Sequence, residues 1–361
     1  MTTPWIGYHE GIEIEQPGEK EMIEEIVASM GRLNRKVFDE HRHALRDAHA
    51  KSHGILTGTL SIYSDLSESL AQGIFQPGRE YPIVARLSSA PGDIHSDEVR
   101  SLKGIAIKVI GVEGPRLLPD TAGEVTQDFL LVNLPILPFG DVKSYFEMQH
   151  KREDAAGGKE SPGSLIPNMA SAASEALKAV GLPNRILEAV GASAHHILGE
   201  TFHTMAAIRF GKYIAKLSIA PLSASVADLT GQEIDTAGND SVYRDLVVEF
   251  FNTQSATYEI RAQICTDISK MPIEDASVEW QGEHLPLGTL TFKTQDAYSP
   301  ARRVYADDVL SFNPWQGIEA HRPLGSIMRS RLRAYEASAQ FRHAMNVQPR
   351  VEPRDIASIP D

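Results

Sequence analysis

Apolar residues alternate with polar or small ones in eight short runs, a pattern that predicts β-strands with one buried face. The first four runs are Ile55–Tyr63, Ile83–Ser89, Ile105–Val112 and Phe129–Asn133, and the second four are His203–Phe210, Tyr213–Ala220, Tyr258–Asp267 and Leu287–Lys293. Gly211 lies between two of these runs and predicts a tight hairpin turn. The pattern favours an α+β fold built on an eight-stranded antiparallel β-barrel, whose interior holds side chains or one ligand.

Helical spacing of apolar residues predicts one helix over Glu19–Phe38 and a second, short helix that ends near Ala48. Helix-forming residues also dominate residues 141–197, where a break rich in Gly, Ser and Pro lies at Gly157–Gly163. A last helix is predicted at 331–342, because Leu, Arg, Ala, Glu and Gln dominate this segment and neither Gly nor Pro interrupts it.

The order of these elements indicates a single domain over residues 1–361. We expect an N-terminal arm and helix at 1–40, the barrel at 50–300 with a helical insertion at about 141–200, and a connector and the last helix at 301–361. The connector is long and is punctuated by Pro and aromatic residues, and long loops are usually functional.

The formal charge of −13 argues against partners that select basic surfaces, so neither nucleic acid nor an anionic membrane is expected to bind. Cys265 is the only cysteine, which excludes a disulfide framework and a cysteine-rich metal site. The N-terminus lacks a basic segment followed by an apolar one, and no apolar run reaches transmembrane length. A cytoplasmic protein without a membrane span is therefore expected.

The last predicted helix carries a tyrosine between two arginines on one face. Arg331 and Tyr335 are one turn apart, and Arg342 follows eleven residues after Arg331, so all three lie within roughly 40° of one another. Arg331 can stabilise the phenolate of Tyr335, and a tyrosinate can ligate haem iron. Taken alone, the segment is better explained by an amphipathic helix with a half-buried tyrosine, and the rest of the chain reverses that preference.

Further motifs precede this helix, in the order Arg46-Asp47-Ala48-His49-Ala50-Lys51, Arg86-Leu87-Ser88-Ser89, Arg100 with Lys103 to Lys108, and Gln127 to Pro135. Together with the helix, these segments resemble the haem catalases. That family carries R-x-x-H-A-K, R-F-S-T, R-D-x-R-G-F-A-x-K, an asparagine just before a proline, and R-x3-Y-x6-R in the same order. The resemblance covers roughly residues 40–345.

The resemblance implies a catalase-like barrel that holds one haem b between His49 and Tyr335. It implies that His49 is the acid/base residue on the distal side of the haem, that Ser88 orients it, and that Asn133 is the distal amide. It also implies that Tyr335 is the axial ligand of the haem iron and that Arg331 keeps it as a phenolate. The arginines implied to pair with the haem propionates are Arg46, Arg86 and Arg342.

Departures from the family pattern bear on the substrate. Counted back from Pro135, the family's asparagine falls on Val132, one residue before Asn133, and a one-residue slip on a strand changes the face. The channel acid of catalases is Ser101 here, a channel valine is Ala90, and paired phenylalanines are Leu137-Pro138. A less charged and wider channel favours an organic hydroperoxide over hydrogen peroxide. The last predicted helix lies close to residue 361, so the resemblance is to a small catalase-related protein, which we expect to lack the helical domain that follows in typical catalases.

Several functions remain open from the sequence. Relatives of catalase include peroxidases and allene oxide synthases, which rearrange fatty acid hydroperoxides, and Ala48 matches neither catalases nor the synthases at the residue before the histidine. We predict a haem-dependent enzyme acting on organic hydroperoxides. The alternatives are a true catalase and a non-catalytic haem-binding protein, while a haem-free lipocalin-like barrel would leave three arginines without anionic partners. A homodimer is also expected for a barrel haem protein of this kind.

Overall fold

A closed antiparallel barrel is the centre of the computed structural model, which describes residues 5–156 and 194–361. Its strands are β1 (Ser52–Ile62), β2 (Glu80–Ser89), β3 (Lys103–Ile110), β4 (Thr126–Val132), β5 (Phe202–His203), β6 (Ile208–Phe210), β7 (Tyr213–Pro221), β8 (Ala256–Ile264) and β9 (Leu285–Phe292). The sheet runs β5-β4-β3-β2-β1-β9-β8-β7-β6, and an additional β5–β7 pairing closes it. Eight strands thus form the barrel and β6 is a short partner of β7, which confirms the predicted fold class.

The run predicted as one strand at His203–Phe210 is two strands, and this prediction was wrong in detail. Met205 interrupts the run with a φ of 59°, a left-handed conformation that a strand cannot contain. The N–H of Ala206 donates to the carbonyl of Thr204 at 2.7 Å, so the chain makes a three-residue turn around Met205. The alternation of residue types carries no signal for such a turn.

The helices are α1 (Glu19–His41), α2 (Val142–Ala156), α3 (Ala224–Ala227), α4 (Val242–Thr253), α5 (Pro300–Val304) and α6 (Ser326–Met345), and a π-helical turn follows α5 at Tyr305–Val309. Short 3-10 turns lie at Pro119–Thr121, Ile197–Gly199, Glu319–His321 and Ile356–Ser358. The first and last predicted helices are confirmed as α1 and α6. The short helix predicted to end near Ala48 was wrong, because Arg42 closes α1 with a φ of 56° and residues 42–48 form no regular element. The predicted break at Gly157–Gly163 lies outside the described residues.

Alternation along the strands separates the barrel interior from its outer surface. On β2 and β3, Ile83, Ala85, Leu87, Ile105 and Ile107 point inward and belong to the main hydrophobic core. Aromatic side chains fill the same interior, where Phe75 stacks on Phe129 with ring centroids 6.2 Å apart. The interior is therefore a packed core, and the residues between these positions face outward, where the polar motifs found in the sequence lie.

Two ion-pair clusters fix the ends of the chain to this barrel. Arg329 on α6 donates to Glu13 and Glu19 of the N-terminal region at 2.6 Å each, and to Glu274 at 3.0 Å. Near the C-terminus, Glu352 contacts the buried Lys108 of β3 and accepts a hydrogen bond from Thr126 at 2.6 Å. Among the described residues, no helix combines the length and the apolar composition that crossing a lipid bilayer requires.

The second cluster generates a prediction about stability. Lys108 is fully buried and lies 2.7 Å from the buried carboxylate of Asp128, so Lys108→Met would leave Asp128 and Glu352 as buried anions without their cation. Removing one partner of a buried ion pair costs about 3–5 kcal/mol of the free energy of unfolding. Urea denaturation should show this loss at neutral pH, and a smaller loss at acidic pH, where protonation removes the buried negative charges.

Lys270→Met is the matched control, because Lys270 is 81% exposed in its pair with Asp267. An exposed pair of this kind contributes about 0–1 kcal/mol. Equal losses in the two variants would contradict the assignment of Lys108 as the cation that the buried carboxylates require.

Candidate functional site

A cavity lies on the outer face of the sheet formed by β2, β3 and β4. Directly opposed residues of antiparallel strands point to the same face. Two such rows line the cavity, Arg86, Ala106 and Leu130 in one and Ser88, Gly104 and Val132 in the next. The cavity encloses about 790 Å³, part of it open to solvent, and residues of α6 and of the connector after the π-helical turn cover it. The site therefore lies outside the packed barrel core.

His49 lies against the sheet side of this cavity. Its Nδ1 is 3.0 Å from the hydroxyl oxygen of Ser88, and its backbone N–H donates to the carbonyl of Ala90 at 3.0 Å. The ring occupies the space above Gly104, where an added Cβ would lie 2.5 Å from its Cε1 atom. His49 also has a φ of 56°, and such strained residues concentrate at functional sites. A glycine in β3 is thus required for the histidine to approach the sheet.

The protonation state of His49 follows from its surroundings. Burial lowers its pKa to about 3, and the positive charges of Arg86, Arg331 and Arg46 add to this effect. The imidazole is therefore neutral at physiological pH. With Nδ1 engaged by Ser88, Nε2 is the nitrogen left to exchange a proton with a ligand.

Tyr335 and Arg331 line the helix side of the same cavity. The Nη2 of Arg331 donates to the hydroxyl oxygen of Tyr335 at 2.6 Å, and its Nη1 lies 3.5 Å from the sulfur of Met328. The one-turn spacing read from the sequence thus becomes a direct contact in α6.

The other three arginines converge on the π-helical turn and its end. Arg46 donates to the carbonyls of Ala306 at 2.6 Å and Leu310 at 2.8 Å. Arg342 donates to the carbonyls of Asp307 and Asp308 at 2.7 and 2.8 Å. Arg86 lies 3.0 Å from the carboxylate of Asp307, which Arg46 contacts at 3.4 Å. All three guanidiniums also line the cavity.

This arginine cluster concentrates buried positive charge beside the cavity. Burial lowers the pKa of Arg46 well below its usual value and that of Arg342 to about 10, and repulsion from Arg86 adds to both effects. In residues 5–156 and 194–361, the ion pairs of these three arginines involve one carboxylate, Asp307, while the carboxylates of Asp308 and Asp47 act on them at longer range. Three buried guanidiniums beside one cavity suit an anionic ligand, and a haem carries two propionates. The donor set therefore fits a haem.

Asn133 is the predicted site residue that does not reach the cavity. Its side-chain Oδ1 accepts a hydrogen bond from the N–H of Lys103 at 2.8 Å, and its own N–H donates to the carbonyl of Lys103 at 3.0 Å. Val132 lines the cavity instead, because it lies opposite Gly104 in the sheet. The expectation that Asn133 supplies an amide beside His49 is therefore corrected. The other predicted site residues, His49, Ser88, Arg46, Arg86, Arg331, Tyr335 and Arg342, all line the one cavity.

Three residues of the site were missed in the sequence. Asp307 belongs to the connector that was expected to be functional, but the sequence carries no signal that its carboxylate pairs with Arg46 and Arg86. Asp47 lines the cavity and accepts a hydrogen bond from Ser338 at 2.7 Å, while burial raises the pKa of its carboxyl. Met205 lines the cavity through its left-handed backbone, for which the sequence gives no signal.

Solved structures with a similar fold are catalases. A fungal catalase superposes with a TM-score of 0.57 at 14% identity, over 95% of this chain and 66% of its own. A bacterial catalase superposes with a TM-score of 0.60 at 14% identity, over 99% of this chain and 68% of its own. Catalase A from Saccharomyces cerevisiae superposes with a TM-score of 0.58 at 15% identity, over 96% of this chain and 70% of its own. The chain thus spans about two thirds of the length of these proteins, and the likeness establishes a shared fold.

A family model adds the relationship in sequence. The model described as Catalase matches residues 27–349, which include both the His49 loop and all of α6. The chain therefore belongs to the catalase family, a membership that implies haem binding.

Proposed function

We propose that the protein is a haem-dependent enzyme that acts on organic, fatty acid-type hydroperoxides, either by peroxidase-type reduction or by rearrangement. Membership of the catalase family supports haem-dependent peroxide metabolism in general. In this proposal the cofactor is haem b, Tyr335 is the axial ligand of its iron, and Arg46, Arg86 and Arg342 pair with its propionates. When bound, the haem supplies the iron at which the O–O bond of the hydroperoxide is broken.

The position and the neutral state of His49 are the observations that support the proposal most strongly. A neutral imidazole whose Nδ1 is held by Ser88 can accept a proton from one oxygen of a hydroperoxide and return it to the other, which leaves as an alcohol. Reduction to the alcohol and water further requires an external electron donor. A protein that only carried haem would need no positioned acid/base, so the contact between His49 and Ser88 favours an enzyme over a carrier.

The substrate class is inferred from the side chains around His49. Ala106, Leu130, Val132 and Met205 line the cavity, and they offer apolar surface to a ligand. Ser101, which stands where catalases have a channel acid, accepts a hydrogen bond from Lys103 at 3.3 Å and does not line the cavity. An apolar wall of this kind suits a ligand that carries an alkyl chain.

The substrate experiment uses the haem-loaded protein. Its absorption spectrum and the release of oxygen are recorded while hydrogen peroxide or linoleic acid hydroperoxide is added in separate runs. We expect fast loss of the lipid hydroperoxide and slow release of oxygen. Rapid oxygen release from hydrogen peroxide would favour a catalase, a haem that reacts with neither would favour a carrier, and a protein that binds no haem would reject the proposal.

Tyr335→Phe tests the proposed iron ligand. Because phenylalanine has no oxygen, the variant should lose the absorption and electron paramagnetic resonance features of a tyrosinate-ligated ferric haem. Tyr63→Phe is the control, because Tyr63 donates to Glu259 at 2.9 Å and does not line the cavity. A haem spectrum that Tyr335→Phe leaves unchanged would assign the axial ligand to another residue.

His49→Ala tests the proposed acid/base. The variant should keep the haem spectrum but lose about a hundredfold to ten-thousandfold in the rate of hydroperoxide cleavage, the range that a positioned general acid/base contributes. His9→Ala, which changes an exposed histidine, should retain the full rate. Full turnover in His49→Ala would move the acid/base function to another residue.

The pH profile of the wild type follows from the pKa of His49. Because the neutral imidazole is the active form and its pKa is lowered to about 3, the cleavage rate should stay constant as the pH falls from 8 to about 5. Stopped-flow measurement at a series of pH values checks this. A half-loss near pH 6.5, about the ordinary pKa of histidine, would show that the imidazole is not perturbed in the working enzyme.

A further inference from the structure

The wall of the cavity beside His49 is set by the register of β3 and β4. Gly104 lies directly opposite Val132, and an added Cβ on Gly104 would point at the His49 ring, 2.5 Å from Cε1 and 2.7 Å from Nδ1. Since opposed residues point to the same face, the side chain of Val132 points to the face on which His49 lies. Ser88, opposite Gly104 on the other side, holds Nδ1 of the histidine. The Ser88–Gly104–Val132 row thus has a polar end at Ser88 and an apolar end at Val132.

The amide of Asn133, the next residue along the chain, is turned away from this row. Asn133 follows Val132 and therefore faces the other side of the chain, where its Oδ1 is bound to the N–H of Lys103 and its side chain contacts Glu200. These bonds fix the register of the strand end, because the N–H of Asn133 also donates to Lys103. The side-chain amide of Asn133 is therefore engaged by Lys103 and Glu200, and it is not a donor for a ligand beside His49.

A second apolar side chain lines the cavity at the cost of backbone strain. Met205 occupies a left-handed turn with a φ of 59°, and the bond between Ala206 and Thr204 holds this conformation. Hydrogen bonds between Thr204 and Leu217 of β7, at 3.0 and 3.1 Å, anchor the turn to the barrel. The fold thus maintains an unfavourable conformation that presents a thioether, a soft apolar group, to the cavity.

We propose that Val132 is a specificity-determining residue that selects hydroperoxides with an apolar substituent over hydrogen peroxide. The inference rests on the proposed function. One oxygen of a bound hydroperoxide exchanges its proton with His49, and the group on the other oxygen meets the wall that begins at Val132. An alkyl group is favoured there by burial, whereas the second O–H of hydrogen peroxide finds no partner on that wall.

Val132→Asn and Val132→Leu form a matched pair for the test. Both side chains have four heavy atoms and branch at Cγ, but only asparagine can donate a hydrogen bond. In the haem-loaded protein, Val132→Asn should shift the ratio of kcat/KM for hydrogen peroxide to kcat/KM for linoleic acid hydroperoxide at least tenfold toward hydrogen peroxide, while Val132→Leu should not. The same ratio in both variants would overturn the inference.

Fluoride binding gives a readout that does not depend on turnover. Fluoride on a ferric haem is stabilised by hydrogen-bond donors, so Val132→Asn should bind it at least tenfold more tightly than Val132→Leu and shift its charge-transfer band. An unchanged affinity and band would show that residue 132 does not face the ligand. That result would overturn the inference and leave the proposed function standing, whereas a wild type without a haem spectrum would reject the proposed function itself.

Circular dichroism and urea denaturation establish that each variant is folded. If Val132→Asn does not fold, Val132→Thr replaces it, because threonine has nearly the shape of valine and adds one hydroxyl. The wild type then serves as its apolar control. The expected shift in the kcat/KM ratio has the same direction. A folded Val132→Thr variant whose kcat/KM ratio and fluoride affinity both equal those of the wild type would likewise contradict the role of Val132.

Discussion

The convergence of three guanidinium groups on one short turn is the interaction on which the rest of the site depends. Arg46 comes from the loop after α1, Arg86 from β2 and Arg342 from α6, and all three meet the segment from Ala306 to Leu310. Burial and mutual repulsion disfavour the cluster, so its N–H groups must all find oxygen partners. The π-helical turn ends at Val309, so the carbonyls of its last residues have no partner within the turn and can accept these bonds. The cluster thereby fixes loop, sheet and helix relative to one another around a group of buried positive charges.

The residues that make contacts within one element could be predicted from the sequence. Arg331 and Tyr335 are one turn apart, so the hydrogen bond between them follows from helical geometry alone. Strand alternation likewise gave the barrel, because it reports which face of each strand is buried. The pattern does not report whether a ligand lies inside or outside. Large side chains such as Phe75 and Phe129 fill the interior, so the cavity formed on the outer face.

What the sequence could not provide depends on register and on unusual backbone. Asn133 was the expected amide, but a one-residue difference on a strand reverses the face, and the pairing of Gly104 with Val132 decides it. Met205 reached the cavity through a turn that no propensity predicts. The role of Asp307 could not be predicted, because it depends on which arginines from distant segments contact its carboxylate. These residues share one property: their positions are set by contacts between segments far apart in the sequence, which local patterns do not contain.

Stability and the site share the same three strands. One row along the outer face holds Lys108 and Asp128, and the next rows hold the cavity residues. The carboxylate of Asp128 also accepts a hydrogen bond from the N–H of Asn313 at 2.9 Å, and Lys108 lies 5.5 Å from the ring centre of Phe312, which lines the cavity. The buried charges therefore position the connector that covers the site. A buried ion pair contributes little net stability compared with apolar side chains packed in the same place. The role of the Lys108–Asp128 pair is therefore to hold the connector in one position over the cavity.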